Sequence, residues 1–190
     1  SWREDMKRIL LALLVALVFT QSAWARTFAD VTLPDTASVG GKTLSLNGIA
    51  LRSKFGFSVY VAGLYLAQTQ TSPEKIMAAD APRQMVMHFI RSVEKAKICE
   101  AWNEGLAANY PNASAAVKKN FETLCEWMTN VKSGEEIVIA YVPGQGTRVW
   151  VGGNIKGSLA GKETADAILS TWIGPKPGPG DIFKNNILGK

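Results

Sequence analysis

Histidine is almost missing from this chain. His88 is the only one in 190 residues, and Cys99 and Cys125 are the only cysteines. Three such side chains are too few for a tetrahedral zinc site, so no structural metal is expected. There is no run of basic residues and no interleaving of basic with aromatic ones, so the net charge of +5 does not describe a nucleic-acid surface. No segment repeats, and no linker is long enough to separate domains. The longest apolar run, Ile9 to Phe19, is well short of the ~20 residues a membrane-spanning helix needs. Gly144-Gln145-Gly146 opens a turn between strands and not a strand-to-helix phosphate loop, so no nucleotide or other cofactor is expected.

What the apolar run does fit is export. Met6-Lys7-Arg8 gives it a positive start, and Ala23-Trp24-Ala25 offers the small-x-small pattern of a cleavage site. Residues 1–25 therefore read as a bacterial-type signal peptide, possible upstream extension included, cut after Ala25. Without a further sorting signal the periplasm is the expected destination. Removing residues 1–25 from the 190 leaves 165, enough for one domain with a substantial core. The same cut takes Arg3, Glu4, Asp5, Lys7 and Arg8 and lowers the net charge to +4. That mild bias suits an anionic ligand without proving one.

After an irregular stretch, residues 26–42, the segment from Thr43 to Leu51 reads as a strand. A second strand follows, with Phe55, Phe57, Val59, Val61 and Tyr65 on one face and Ser58, Tyr60, Ala62, Leu64 and Leu66 on the other. Two apolar faces predict a central strand covered on both sides. Gly63 inside it predicts close approach by another group. Ser72-Pro73-Glu74 is a helix start, with a capping hydroxyl, proline in the first turn and an acid beside it. Another strand runs from Gln84 to Ser92. Two helices follow, striped by Ile98, Trp102 and Leu106 and by Val117, Phe121, Leu124, Met128 and Val131. Tyr110-Pro111-Asn112 separates them, with Asn112 as the expected cap, so they should form an antiparallel hairpin. Cys99 and Cys125 sit at similar distances from that turn, and in an oxidising compartment a Cys99–Cys125 disulfide is expected. Two buried free thiols are the alternative.

Three short strands between Glu136 and Leu159 come next. A helix striped by Ala165, Ile168, Leu169 and Trp172 follows, and then a last helical turn behind Asp181 carrying Ile182, Phe183, Ile187 and Leu188. Strands and helices do not alternate one for one, which predicts an antiparallel α+β fold across residues 26–190. His88 stands mid-strand without a serine or cysteine motif and reads as structural. Glu135-Glu136 reads as a solvated strand edge.

Arg52 is the residue to explain. It stands between two apolar strands, where a lone cation is costly unless something anionic meets it. Tyr60 lies eight positions on with a phenol able to donate a hydrogen bond. If the two strands pair around Ser53-Lys54, both heads converge on one carboxylate or phenolate. The pattern equally allows Arg52 to pair with a protein acid or to reach solvent.

Gly48-Ile49-Ala50-Leu51-Arg52 and Val59-Tyr60-Val61-Ala62-Gly63-Leu64-Tyr65-Leu66 resemble the opening strands of the chalcone isomerase family. Thr171-Trp172-Ile173-Gly174 and Ile187-Leu188-Gly189 are similar to its closing helices. The resemblance implies an antiparallel sheet packed against a layer of helices. It makes Arg52 the candidate catalytic residue of an intramolecular lyase, where it would steady the anion of a cyclising phenolate. It also places Asn103 and Thr171 in the pocket. Two departures weaken the enzyme reading: the family's strand threonine aligns with Tyr60, and its helical tyrosine aligns with Ala96. The fatty-acid-binding branch of the family holds a carboxylate with an arginine and a tyrosine on these strands, which Arg52 and Tyr60 match. The expected partner is therefore a small apolar anion such as a fatty acid, bound by Arg52, Tyr60, Asn103 and Thr171. An isomerase on an unknown substrate is the alternative, and a folded interaction module with a vestigial cleft is a third possibility.

Overall fold

A computed structural model describes residues 25–190. The expected signal peptide, as far as residue 24, lies outside the described residues. The chain runs through β1 (Ala25–Phe28), β2 (Val31–Pro34), β3 (Thr36–Val39), β4 (Lys42–Lys54), β5 (Phe57–Leu66), α1 (Pro73–Ala78) and β6 (Arg83–Phe89). It continues through α2 (Lys95–Asn109), α3 (Ala115–Trp127), β7 (Glu136–Val142), β8 (Gly146–Val151), β9 (Asn154–Leu159), α4 (Lys162–Ile173) and α5 (Asp181–Ile187). Strands β3 to β9 form one antiparallel sheet in sequence order, and β1 and β2 form a separate hairpin. The antiparallel α+β expectation holds. The stretch 26–42 is not irregular: it supplies β1, β2 and β3, strands of four residues each, too short for alternation to declare them.

Strand β5 lies between β4 and β6 and buries both faces, as its composition requires. On one face Tyr60, Ala62, Leu64 and Leu66 meet the helices, in a core that also holds Phe89, Phe121, Trp172 and Phe183. On the other, Val61 and Tyr65 pack with Leu44, Leu46, Val86 and the β2 residues Val31 and Leu33. Burying an aliphatic or Phe side chain contributes about 1.5–3 kcal/mol, so the two layers anchor the sheet from both sides. Gly63 does mark a close approach. A Cβ there would lie 2.7 Å from Leu33 Cδ1, so the hairpin β1–β2 sits directly on β5.

Local capping rules place the helices. Ser72 Oγ accepts from the Lys75 amide at 3.3 Å and opens α1 at Pro73. Helices α2 and α3 form the expected hairpin, and a bridge between Val93 and Val131 ties its open ends together. The cap of α3 is Ser114 and not Asn112: its hydroxyl accepts from the Val117 amide. Ile182 is 81% exposed and falls outside the core, whereas Phe183, Ile187 and Leu188 are buried.

Cys99 and Cys125 meet across the hairpin. They are free thiols, not the expected disulfide. Cys99 Sγ donates to the Cys125 carbonyl oxygen at 3.4 Å. The equal-distance argument therefore located the pair correctly, while the bond inferred from the compartment is not formed.

Candidate functional site

Two β-bulges build the site. Strand β4 pairs Arg52 with Tyr60 of β5, but the next pair is Ser53 with Ser58, so Val59 is an extra residue. An extra residue breaks strict alternation and re-aims its neighbours. Val59 and Tyr60 consequently both pack on the helix side. The second shift falls at Asn47, between the pairs of Leu46 and Gly48. It moves β4 from Leu44 and Leu46 on the hairpin face to Ala50 on the helix face, and it sets Arg52 beside Tyr60.

Between the helix face of the sheet and helices α2 and α4 lies a cavity of about 670 Å³. Arg52, Tyr60, Met87 and Phe89 line it from the sheet, and Ile98, Trp102 and Gly105 line it from α2. Thr171 and Trp172 come from α4, and Lys176, Gly178 and Pro179 from the loop beyond. Arg52, Lys54, Arg91, Lys97 and Lys176 carry positive charge on this lining, against Glu94 and Glu104. The cavity is an apolar space with a cationic bias at its mouth.

Arg52 is half-buried, and among the described residues no acid lies within salt-bridge distance of it. Its guanidinium approaches the Gly178 backbone, where a Cβ would stand 3.8 Å from it. Tyr60 is almost fully buried, its ring tilted against Phe89 at 5.3 Å and edge-on to Phe183 at 6.2 Å. Trp172 Nε1 donates to the Tyr60 hydroxyl at 3.0 Å. An indole N–H can only donate. The phenol oxygen is therefore the acceptor, and its own proton is left to donate elsewhere. Burial pushes the Tyr60 phenol above its ordinary pKa; the Arg52 charge and the Trp172 hydrogen bond pull the other way without reversing it. Tyr60 is thus a neutral hydrogen-bond donor beside a permanent cation, an arrangement suited to receiving a carboxylate.

Thr171 is buried on the cavity wall, but its hydroxyl donates to the Ile168 carbonyl at 2.7 Å. Toward a ligand it can only accept. The adjacent Gly105 brings α2 close: a Cβ there would meet Thr171 Cβ at 2.8 Å. Asn103 belongs elsewhere. It lies on the exposed side of α2 and is not part of the cavity wall. Ile98, Trp102 and Gly105 are the buried residues of the same helix and do line the cavity, so Asn103 leaves the candidate set. His88 is likewise outside, paired at 3.0 Å with Glu136 across the sheet.

Trp172 was legible in the sequence only as part of an apolar stripe. A buried indole needs an acceptor, and that need was the available signal for its bond to Tyr60. Trp102 shows the same need unmet: its Nε1 is buried with no hydrogen-bond partner among the described residues, and its ring packs edge-on against Trp172 at 5.2 Å.

An antiparallel sheet roofed by helices, with an arginine and a tyrosine paired across adjacent strands at an apolar cavity, defines an α+β protein with a ligand-sized cleft. The chain belongs to the chalcone isomerase-like family, whose sequence model matches residues 25–189. Among solved structures it is similar to a fatty-acid binding protein of Arabidopsis thaliana. The two share 18% sequence identity and a TM-score of 0.67, over 87% of this chain and 96% of that one. At that identity the likeness establishes the fold alone. No curated relative matches the sequence.

Proposed function

We propose that this protein is exported and binds a fatty acid or similar amphipathic anion, with the carboxylate at Arg52 and Tyr60 and the hydrocarbon in the cavity. The observation that carries the reading is an arginine without an acidic partner among the described residues, set beside a phenolic proton at the edge of an apolar space. A cation left half out of water without a counterion is unfavourable, and an anionic ligand supplies one. The volume of about 670 Å³ falls within the roughly 300–1,000 Å³ typical of small-molecule sites. Binding by the structurally similar plant protein is consistent with this reading. Export rests on the residue pattern of 1–25 alone.

Native mass spectrometry of the protein from its own host tests the proposal. A fatty acid that co-purifies with the wild type and is lost from Arg52→Ala supports it. The processed mass, short by residues 1–25, tests export in the same spectrum. An empty protein that instead converts a chalcone to a flavanone would replace binding with the lyase reading.

A further inference from the structure

The tip of the β4–β5 hairpin carries aromatic rings that folding does not need. Phe55 is 89% exposed and Phe57 61% exposed. Phe55 also holds φ at +52°, the left-handed region that glycine and asparagine enter readily and bulky rings do not. A solvent-facing turn gains nothing in packing from such a residue. Cations stand against both rings: Lys54 Nζ lies 5.7 Å from the Phe55 centroid, and the Arg91 guanidinium 4.8 Å from that of Phe57. All four residues border the mouth of the cavity.

Aromatic rings partition to the boundary between lipid headgroups and acyl chains, and nearby lysine and arginine are drawn to anionic headgroups. A ligand inside the cavity meets these rings from the cavity side only, whereas a bilayer interface covers the faces that stand in water. We propose that the Phe55–Phe57 tip docks the protein on an anionic lipid bilayer, with the rings in the interfacial layer and Lys54 and Arg91 against lipid phosphates. The cavity mouth then opens toward the membrane, so an acyl chain enters with little exposure to water. The docking itself rests on the rings and cations; the passage of a fatty acid rests on the function proposed above.

The test is co-sedimentation of ligand-free protein with vesicles of phosphatidylcholine, alone or mixed with phosphatidylglycerol. Wild type should bind the mixed vesicles more tightly than the neutral ones, and less so as salt rises. Phe55→Asn with Phe57→Ser keeps a residue that tolerates the left-handed turn. It should weaken binding about ten-fold or more, with circular dichroism confirming the fold. Lys54→Glu with Arg91→Glu should abolish the preference for phosphatidylglycerol. Wild-type protein that stays in the supernatant with anionic vesicles, or a ring variant that binds as wild type does, overturns the docking. Fatty-acid affinity measured separately in vesicle-free solution keeps the two proposals apart. Protein that binds fatty acid but ignores vesicles loses only the docking, and the reverse result removes only the ligand.

Discussion

Trp172 of α4 fixes the direction of the Tyr60 hydroxyl of β5, donating to it across 3.0 Å of buried interior. The two residues are 112 positions apart in the chain, and their bond leaves the phenolic proton as the polar hydrogen that Tyr60 has to offer. Tyr60→Phe removes a ligand donor and also strands the indole N–H, at a cost of about 1–3 kcal/mol in stability. Trp172→Phe keeps the phenolic donor but loses its orientation and some packing. Fatty-acid titration calorimetry should therefore find the larger loss of affinity in Tyr60→Phe, while denaturant unfolding finds both variants destabilised. Two variants that bind as wild type does would take Tyr60 out of the carboxylate site.

Arg52→Ala should weaken fatty-acid binding by about 1.5–3 kcal/mol, the scale of a hydrogen bond to a charged group. Its stability should change little or rise, because the replaced cation has no acidic partner within salt-bridge distance among the described residues. Calorimetry and urea unfolding separate the two effects. Unaltered affinity would remove the proposed ligand contact.

A buried charge cluster away from the cavity makes the opposite prediction. Arg83 at the start of β6 meets Asp166 of α4 at 2.6 Å, with 6% and 15% of the side chains exposed. Lys162 reaches the same carboxylate at 2.5 Å and also donates to the Met77 carbonyl of α1. Asp166→Ala leaves two cations around a vacated position and should cost about 3–5 kcal/mol in urea unfolding. Arg83→Met combined with Asp166→Leu should recover much of that loss. Ligand affinity should be spared in the folded protein.

Alkaline pH should unfold the protein through hidden protons, that of Tyr60 and three more. Burial, reinforced by Cys99, pushes the Cys125 thiol from 9.0 up to about 12. Burial above all also pushes the Tyr65 and Tyr141 hydroxyls from 10.0 up to about 12, and Tyr141 donates to Asp80 at 2.6 Å as well. The unfolded chain releases these protons first. Their contribution to stability is intact below about pH 9 and is lost progressively as pH climbs toward 12. Cys125→Ala should move the start of the decline toward pH 10. Slow alkylation of Cys125 in the folded, reduced protein near pH 8 is the companion expectation, since the thiolate is the nucleophile.

The sheet, the helix hairpin and the closing helix were readable because their apolar periods are long. β5 showed two covered faces, and α4 a stripe at 165, 168, 169 and 172 that is buried throughout. Strands β1 to β3 were not readable, since four residues carry too little alternation to separate from loop. Arg52 and Tyr60 emerged from charge among apolar neighbours and from family resemblance, and they do stand opposite one another. Asn103 failed because a motif position on a helix gives no rotational phase; the buried neighbours Trp102 and Gly105 settle that phase. The bulge at Val59 has no spacing rule in sequence, yet it decides which side chains reach the cavity.

Helix α5 is clamped onto strand β4 across most of the described sequence. Asn47, the bulged residue of β4, donates to the Ile187 carbonyl of α5 at 3.1 Å and ties down the loop after β5 through both the Gln70 carbonyl and amide. Gly48 next to it has no room for a Cβ, which would fall 2.3 Å from the Asn186 and Ile187 carbonyl oxygens. The strand bearing Arg52 is therefore finished only when α5 has docked on it. A folding intermediate in which α5 has not yet seated leaves Phe183, Ile187 and Leu188 out of the core and carries an open, greasy seam beside β4.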